Sequence, residues 1–261
     1  MDGHGLDQGA ARTAAELRLQ LAQMTAASQL LERTARDEKS RGYLAAMNQS
    51  ICRMLRVVGR LELSARLGEE EPRLERVPTD LGALARELGE RMAGLLEWAG
   101  VKLEVSAPEG LSAWVDRELI RQMLMELVAN GAAAGKRVTL ALTRQGGGAV
   151  FTVEDDGPGV PPERLQYLFS SGEEAVPDWR RGGVGVAVAR RAAALHGGTL
   201  VAECVPGRGL RAAASIPLEE AGEGLLREPS TAGDRGGFDD ELVALSALLP
   251  AQAFGRPAED V

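Results

Sequence analysis

The chain is poor in aromatic residues, histidine and cysteine, and it has no long hydrophobic run. Aromatic residues make up 3% of the 261 residues, so the core must be built mainly from leucine, valine and alanine. Cys52 and Cys204 lie far apart and form neither a metal-binding nor a disulfide pattern. No apolar stretch approaches the length of a membrane span, and the polar N-terminus does not resemble a signal peptide. We therefore expect a cytoplasmic protein without membrane insertion.

The charge and the scarce histidines narrow the classes of function. The formal net charge of −8 argues against a general nucleic-acid binder. Hydrophobic and charged residues account for 44% and 26% of the chain, as in a soluble globular protein. The two histidines are His4 and His196, so a mechanism that needs a histidine within residues 5–195 is excluded.

The N-terminal quarter predicts two amphipathic helices. Residues 1–10 are polar and glycine-rich, and we expect them to be disordered; the first helix is predicted from Arg12 to Arg36, and a second one ends near Leu67. The apolar stripes are spaced alternately by three and four residues; they are Leu17, Leu21, Met24, Ser28 and Leu31, then Leu44, Met47, Ile51, Met54, Val58, Leu61 and Ala65. A lone antiparallel hairpin buries both stripes poorly, so we expect residues 11–68 to dimerise as a four-helix bundle. The alternative is that the hairpin packs on its own globular domain.

The rest of the chain predicts one mixed domain and a tail. Residues 69–79, with two prolines, predict a linker. Within residues 80–218, helices are predicted at 80–98, 117–134 and 186–195, and strands at 101–105, 111–115, 137–144, 149–155, 199–205 and 210–216. This order predicts an α+β protein whose α/β sandwich has a mixed sheet with helices on one face. Residues 219–261 are acidic and expected to be largely disordered, although Leu242–Leu249 is apolar enough for a short docking helix.

Two glycine-rich turns carry the strongest functional signal. The first is Asp155–Gly159, where the acid can accept a hydrogen bond from an amine on a base. The second, Gly182–Val186, opens into a predicted helix whose free N–H groups would face an anion such as phosphate. Either turn alone is explained equally well as a surface turn, but together they predict a nucleotide site.

Two polar residues on the helix before these turns are candidates for binding a metal ion. Glu126 and Asn130 are four residues apart and therefore lie on one helix face. An asparagine amide oxygen is a suitable ligand for Mg²⁺ held between phosphates. Such a pair is commonly no more than a polar helix face.

Taken together, these motifs resemble the ATP-binding domain of sensor histidine kinases, within the wider family shared with gyrase, Hsp90 and MutL. Four segments come in the order and spacing of the family's N, G1, F and G2 boxes; they are Glu126–Asn130, Asp155–Val160, Leu168–Phe169 and Gly183–Val186. The segment Leu195–Leu200 and the sequence Ile216–Leu218 resemble the usual close of that domain. The resemblance spans about residues 80–218.

The resemblance implies Mg²⁺ and ATP as ligands and assigns a role to each motif. Asp155 would accept the adenine amino group, and Asn130 would coordinate Mg²⁺ with Glu126 beside it. The implied nucleotide-binding residues are Asn130, Asp155, Gly157, Gly159, Arg180 or Arg181, Gly183, Val184, Gly185 and Val186. His196 is expected to be structural, and residues 170–181 would form a mobile lid. The short lid, Val184 and Val186 in place of leucines, and Gly131 after Asn130 depart from the usual pattern.

The helical hairpin is similar to the family's dimerisation and phosphotransfer module. Residues 15–21 resemble its phosphoacceptor box, His-Glu-Leu-Arg-Thr-Pro-Leu, and Glu16, Leu17, Arg18 and Leu21 match. Ala15 occupies the histidine position, and an alanine methyl group has no lone pair with which to attack phosphorus. The chain is then either a degenerate kinase or a kinase whose histidine was deliberately replaced.

The resemblance therefore predicts a dimeric, histidine-kinase-like protein that binds Mg·ATP, partners a response regulator receiver domain and forms no phosphohistidine at the usual position. One alternative is an anti-sigma-type serine/threonine kinase or a partner-binding module on the same fold. Another is a scaffold that binds no nucleotide.

Overall fold

The computed structural model describes residues 3–67, 72–161, 183–205, 209–218, 234–235 and 237–255. The chain divides into two compact units. The first contains residues 1–69 and 231–261, and the second contains residues 70–230.

The first unit is built on two antiparallel helices, α1 (Gly3–Glu32) and α2 (Glu38–Leu67). The turn between them is closed by Asp37, whose Oδ1 accepts a hydrogen bond of 2.8 Å from the Ser40 amide. Helix α1 begins well before Arg12, so the expectation of disorder is wrong for residues 3–10. Extending an existing helix adds a backbone hydrogen bond for each residue fixed, which offsets the modest cost of the glycines there.

The two predicted apolar stripes split between two faces of the hairpin. Alternate members are buried between the helices, namely Leu21, Ser28, Leu44, Ile51 and Val58. The members between them form an exposed outer stripe; Leu17, Met24, Leu31, Met54 and Leu61 are each 41–52% exposed. The serine that interrupts the first stripe is explained by its partner, because Ser28 Oγ donates to Asn48 Oδ1 across the hairpin at 2.5 Å.

A C-terminal segment, residues 237–255, packs on this hairpin. The segment contains strand β9 (Phe238–Asp239), helix α6 (Asp240–Ala244) and a 3₁₀ turn at Ala251–Phe254. Strand β9 pairs antiparallel with β8 (Asp234–Arg235), which precedes the segment. Its buried apolar residues are Phe238, Val243, Leu245, Leu249 and Phe254. The expectation of a largely disordered tail is therefore wrong for this segment. Its apolar side chains are buried because they pack against the hairpin.

The second unit is organised by a five-stranded sheet of order β2-β4-β5-β7-β6. Its strands are β2 (Lys102–Ser106), β4 (Arg137–Gln145), β5 (Gly148–Asp155), β6 (Thr199–Val205) and β7 (Gly209–Pro217). Strands β2 and β4 are parallel and the other neighbours are antiparallel, so the sheet is mixed and the fold is α+β. This confirms the predicted fold class.

Three helices cover this sheet: α3 (Leu81–Leu96), α4 (Arg117–Ala134) and α5 (Gly183–Leu195). Asp80 and Asp116 cap α3 and α4 by accepting hydrogen bonds of 2.9 Å from the amides of Ala83 and Leu119. Alternate strand residues point into the core beneath the helices, so Phe151 on β5 is fully buried beside Ala214 on β7.

Two predicted features of this unit differ in the structure. Residues 76–79, assigned to the linker, belong to strand β1 (Arg76–Asp80), which pairs antiparallel with β3 (Ser112–Asp116). Helix α5 begins at Gly183, three residues before the predicted start at Val186. A 3₁₀ turn at Glu97–Ala99 follows α3.

Candidate functional site

Three of the predicted site residues, Asn130, Asp155 and Val186, meet around one small cavity of about 40 Å³. They come from α4, the end of β5 and the first turn of α5, which are far apart in sequence. The remaining wall is almost entirely apolar; it consists of Leu127, Gly131, Val153, Leu200, Ala202, Leu210 and Ala212. A concave apolar pocket with a few convergent polar groups is typical of a small-molecule site.

Asp155 is held rigidly at the carboxyl end of β5. Its Oδ1 accepts hydrogen bonds from the amides of Gly157 (2.9 Å) and Leu210 (3.4 Å), and the residue is 6% exposed. Burial raises the pKa of this carboxyl, and the two amide hydrogen bonds partly oppose that shift. Because both of these bonds use Oδ1, Oδ2 is the oxygen that can accept a hydrogen bond from an amine in the cavity.

Two glycines allow the chain to pass close to this carboxylate. A Cβ on Gly157 would lie 2.6 Å from the Ala134 carbonyl oxygen and 2.8 Å from Asp155 Oδ1. Gly209 has a φ of 90°, and a Cβ there would overlap the carbonyl oxygen of Asp155. Gly157 therefore allows a close backbone approach beside Asp155, and its predicted contribution to a base pocket stays a prediction; the close approach at Gly209 was not predicted. Gly159, two residues on, adopts a φ of 74° that favours glycine.

The neighbouring acid, Asp156, has a structural function that sequence reasoning did not identify. Its Oδ1 accepts hydrogen bonds from the amides of Lys136 (2.6 Å) and Arg137 (2.9 Å), at the start of β4. These bonds lower the pKa of the Asp156 carboxyl. The two adjacent acids thus have opposite environments: Asp155 is buried at the cavity, and Asp156 joins two backbone segments.

Asn130 brings a polar group to the opposite wall. Its Nδ2 is buried, and within the described part of the chain it has no hydrogen-bond partner. Helix α4 approaches the sheet closely here, since a Cβ on Gly131 would lie 3.3 Å from Val138 Cγ1 and 3.5 Å from Asp155 Cβ. Glu126 is 7% exposed on the same helix, one turn earlier, but the cavity wall does not include it.

The donor set fits a magnesium ion that arrives with phosphates and does not fit a metal bound by protein alone. Among the described residues there is no group of three or more His, Cys, Asp or Glu side chains that could hold a metal. Mg²⁺ is commonly held by one or two protein oxygens together with substrate phosphates. The buried atom of Asn130 without a partner is Nδ2, a hydrogen-bond donor that could reach a phosphate oxygen, whereas a shared Mg²⁺ would be held by Oδ1 of the same side chain.

The second glycine motif lies inside the start of α5. Gly183, Val184, Gly185 and Val186 are its first four residues, so their amide groups belong to the helix N-terminus. This is the end of a helix that favours a bound anion. Arg180, Arg181, Leu168–Phe169 and the predicted lid at residues 170–181 lie outside the described residues.

His196 is a structural residue at the end of α5, as expected. Its Nε2 accepts a hydrogen bond of 3.0 Å from the Asp116 amide, and Nδ1 donates to the Ala192 carbonyl oxygen at 2.8 Å. An amide N–H can only donate and a carbonyl can only accept, so the ring is neutral with its proton on Nδ1. Burial lowers the pKa of the imidazole, in agreement with this neutral form.

The apolar wall from β6 and β7 was the main part of the site that sequence reasoning missed. Leu200 and Ala202 lie on one face of β6, and Leu210 and Ala212 lie on one face of β7. The alternation within residues 199–205 places Leu200 and Ala202 on the same face, but only the sheet order brings that face to the cavity.

Comparisons with known proteins agree with this geometry. Residues 115–220 match the family described as histidine kinase-, DNA gyrase B-, and HSP90-like ATPase. The sensor protein kinase CarS of Pseudomonas aeruginosa is 31% identical over 168 residues, which cover 62% of this chain and 38% of CarS. Sporulation kinase D of Bacillus subtilis is 26% identical over 80% of this chain and 41% of its own length.

The structure of full-length ShkA in complex with AMPPNP has the same fold, with a TM-score of 0.66 and 26% identity over 81% of this chain and 46% of ShkA. The second unit of this chain is therefore a histidine-kinase-like ATP-binding domain, of the type found in two-component signalling. The chain spans less than half the length of these relatives. Each helix that the structure describes is too short or too polar to cross a lipid bilayer.

Proposed function

We propose that this chain is a two-component-type signalling protein that binds Mg·ATP but forms no phosphohistidine at the usual position. The observation that carries the proposal is the convergence of Asn130, Asp155 and the start of α5 on one cavity. The apolar wall would take the adenine ring, and the open polar groups would take its amine and the phosphates.

Each polar group has a distinct task in binding. Oδ2 of Asp155 accepts a hydrogen bond from the adenine amino group, because Oδ1 is already engaged by two backbone amides. The amides of Gly183, Val184, Gly185 and Val186 face the phosphates. Asn130 Oδ1 would hold Mg²⁺ together with the phosphates, and the ion would supply charge neutralisation there. Glu126, one helical turn before Asn130, would orient a water for the metal, and Arg181, outside the described residues, would contact the γ-phosphate.

The position that resembles the phosphoacceptor cannot receive the γ-phosphate. Ala15 is an exposed residue on α1 and offers no lone pair. The nearest histidine in sequence is His4, and residues 5–195 contain none. The nucleotide would then act as a regulatory ligand, and a receiver domain would be the natural partner.

The outer stripe supports a homodimer. Leu17, Met24, Leu31, Met54 and Leu61 place large apolar side chains in solvent on both helices of the hairpin. A second copy could cover this stripe by forming a four-helix bundle. The bundle would bury these side chains, whose transfer from water is the main favourable term in association.

Calorimetric titration with ATP and Mg²⁺ tests the nucleotide site, and the chain offers a matched pair of variants. Asp155→Asn should weaken ATP binding about tenfold to a hundredfold, because a hydrogen bond to a charged acceptor is lost. Asp156→Asn removes the same charge one residue away and should keep most of the affinity while lowering stability. Equal affinities for the two variants would contradict the assignment of Asp155.

Labelled ATP tests the phosphoacceptor position. The unmodified chain should acquire no acid-labile label, whereas Ala15→His should acquire it if the register of the phosphoacceptor box is correct. Glu16→His, the neighbouring position on the same exposed surface, serves as the control. Acid-labile label on the unmodified chain would overturn the proposal, and acid-stable label on an added protein would favour a serine/threonine kinase.

A further inference from the structure

The groove between α1 and α2 opposite the outer stripe is covered by the C-terminal segment. At 100° per residue, Ala45, Gln49, Cys52 and Arg53 lie within an arc of about 100° on α2. Met54 and Leu61 lie about 160–180° from Ala45 on the same helix. The hairpin therefore has two apolar outer faces, and the C-terminal segment lies on only one of them.

Three side chains of α2 hold the segment by its backbone. Asn48 Nδ2 donates to the Phe254 carbonyl oxygen at 3.1 Å, Gln49 Nε2 donates to that of Leu249 at 2.7 Å, and Arg53 Nε donates to that of Ser246 at 3.2 Å. As the residue numbers of the α2 donors rise, those of the accepting carbonyls fall, so the segment runs antiparallel to α2. Such bonds fix the position of the segment without depending on its side chains.

Apolar anchors and close contacts complete the fit. Phe254 and Leu249 are each 2% exposed, and Leu245 is fully buried. A Cβ on Gly255 would lie 3.8 Å from Ala45 Cβ, which is ordinary contact. At the other end, a Cβ on Gly237 would come within 3.1 Å of Thr25 Cγ2 on α1. The segment thus spans the groove from α1 to α2.

Other features of the segment resemble a bound peptide more than a core element. Its regular elements are the two-residue strand β9, the five-residue helix α6 and a four-residue 3₁₀ turn, each too short to be stable on its own. Three polar residues, Asp240, Glu241 and Ser246, are buried with it. Eighteen residues, 219–236, lie between this segment and Leu218, the last described residue of the second unit.

We propose that the α1–α2 groove is a peptide-docking groove whose resident ligand is the C-terminal segment, held reversibly. The hairpin then has a closed state, with the groove covered, and an open state, in which the groove is accessible. A partner segment with apolar side chains and free carbonyls at the same spacing would compete for the groove.

Cys52 is a built-in reporter of this opening. It is fully buried on the groove face of α2, and burial raises the pKa of its thiol to about 12. Cys204 is exposed in the second unit and provides an internal reference for reagent access. Alkylation of the full chain under native conditions, resolved by mass spectrometry for each cysteine, measures how often the groove opens.

Phe254→Asp should release the segment and raise the rate of Cys52 alkylation by about a hundredfold, because a buried aromatic anchor is lost and a charge is introduced. Gln252→Asp places the same charge on an exposed position of the segment and should leave the rate unchanged. Circular dichroism should show that α1 and α2 remain helical in both variants.

A fluorescent peptide of residues 237–255 then tests whether the groove accepts a ligand in trans. It should bind the Phe254→Asp chain, whose groove is intact and open, more tightly than the unmodified chain. Gln49→Ala with Arg53→Ala should expose Cys52 yet bind the peptide poorly, because the donors belong to the groove.

Three results would overturn the proposal. Slow alkylation of Cys52 in Phe254→Asp would mean that the segment does not close the groove. Absence of peptide binding to that variant would make the segment a permanent part of the fold. Loss of helix in Phe254→Asp would place the segment in the folding core of the hairpin.

Discussion

At the scale of single residues, the two adjacent acids at the end of β5 have opposite environments. Asp155 is buried at the cavity, and burial raises the pKa of its carboxyl; its Oδ2 is the oxygen that we propose accepts the adenine amine. Asp156 accepts two backbone amides that would otherwise be left without these bonds, so its charge stabilises the fold. The burial of Asp155 at the cavity is the reason why we propose that Asp155, and not Asp156, binds the nucleotide.

We predict that ATP binding weakens at acidic pH because of Asp155. Its pKa is raised by burial, so as the pH falls this carboxyl is protonated before an ordinary aspartate and becomes a weaker acceptor. ATP also titrates, and that effect is common to every variant. Titrations from about pH 7.5 down towards the ordinary aspartate pKa of about 3.9 should therefore show a steeper loss of affinity for the unmodified chain than for Asp155→Asn. Parallel curves would contradict the prediction.

We predict that His196 makes the second unit less stable in acid. Its folded-state pKa is lowered, so below the ordinary value of about 6.5 the unfolded chain binds more protons than the folded one. The stability is complete above that pH and is lost as the pH falls towards the folded-state pKa. Thermal unfolding between about pH 7.5 and 5.5 should show this fall, with a smaller slope for His196→Phe.

The same variant should be less stable even at neutral pH, by about 1–3 kcal/mol, because the buried Asp116 amide loses its acceptor. Equal pH slopes for the variant and the unmodified chain would assign the acid sensitivity to other groups.

At the scale of elements, local patterns predicted most helices and strands because each carries its own signal. Asp116 before an apolar run predicted α4 with both ends correct, and alternation predicted β6 over Thr199–Val205. Strand β1 was missed because Pro78 and the surrounding charges indicated a linker. The structure tolerates Pro78 because β1 pairs only with β3, so one edge of β1 needs no amide donor from the proline.

In the turn after β5, the backbone at Gly157 passes too close to the Ala134 carbonyl oxygen for a larger residue. Gly157→Ala should destabilise the second unit by about 1–3 kcal/mol and weaken ATP binding, because the added Cβ meets a carbonyl oxygen that cannot move freely. Gly147→Ala is the matched control, since a Cβ there has no atom of the described residues within 4 Å. Thermal unfolding and ATP titration of both variants check this, and a neutral effect of Gly157→Ala would show that the turn is adaptable.

At the scale of the whole molecule, the structures of the helical hairpin and of the second unit were predicted better from the sequence than that of residues 219–261. Helix periodicity and glycine motifs act over a few residues, so α2 and the cavity residues could be assigned locally. The contacts of Gln49 with Leu249 and of Asn48 with Phe254 join residues about 200 positions apart. Nothing in a single sequence pairs such distant positions, and the acidic composition of residues 219–261 concealed the apolar anchors.

The two outer faces of the hairpin have different expected roles in assembly. The C-terminal segment covers one face, so the outer stripe is the face left for a second copy, and we predict that the full chain is a dimer in solution. Met54→Glu with Leu61→Glu should shift it to monomer, because each charge would have to enter an apolar interface. Leu19→Glu adds a charge at a leucine that is 59% exposed but off the stripe, and it should leave the dimer intact. Sedimentation velocity of the three chains measures this, and a dimer that survives both stripe charges would move the interface elsewhere.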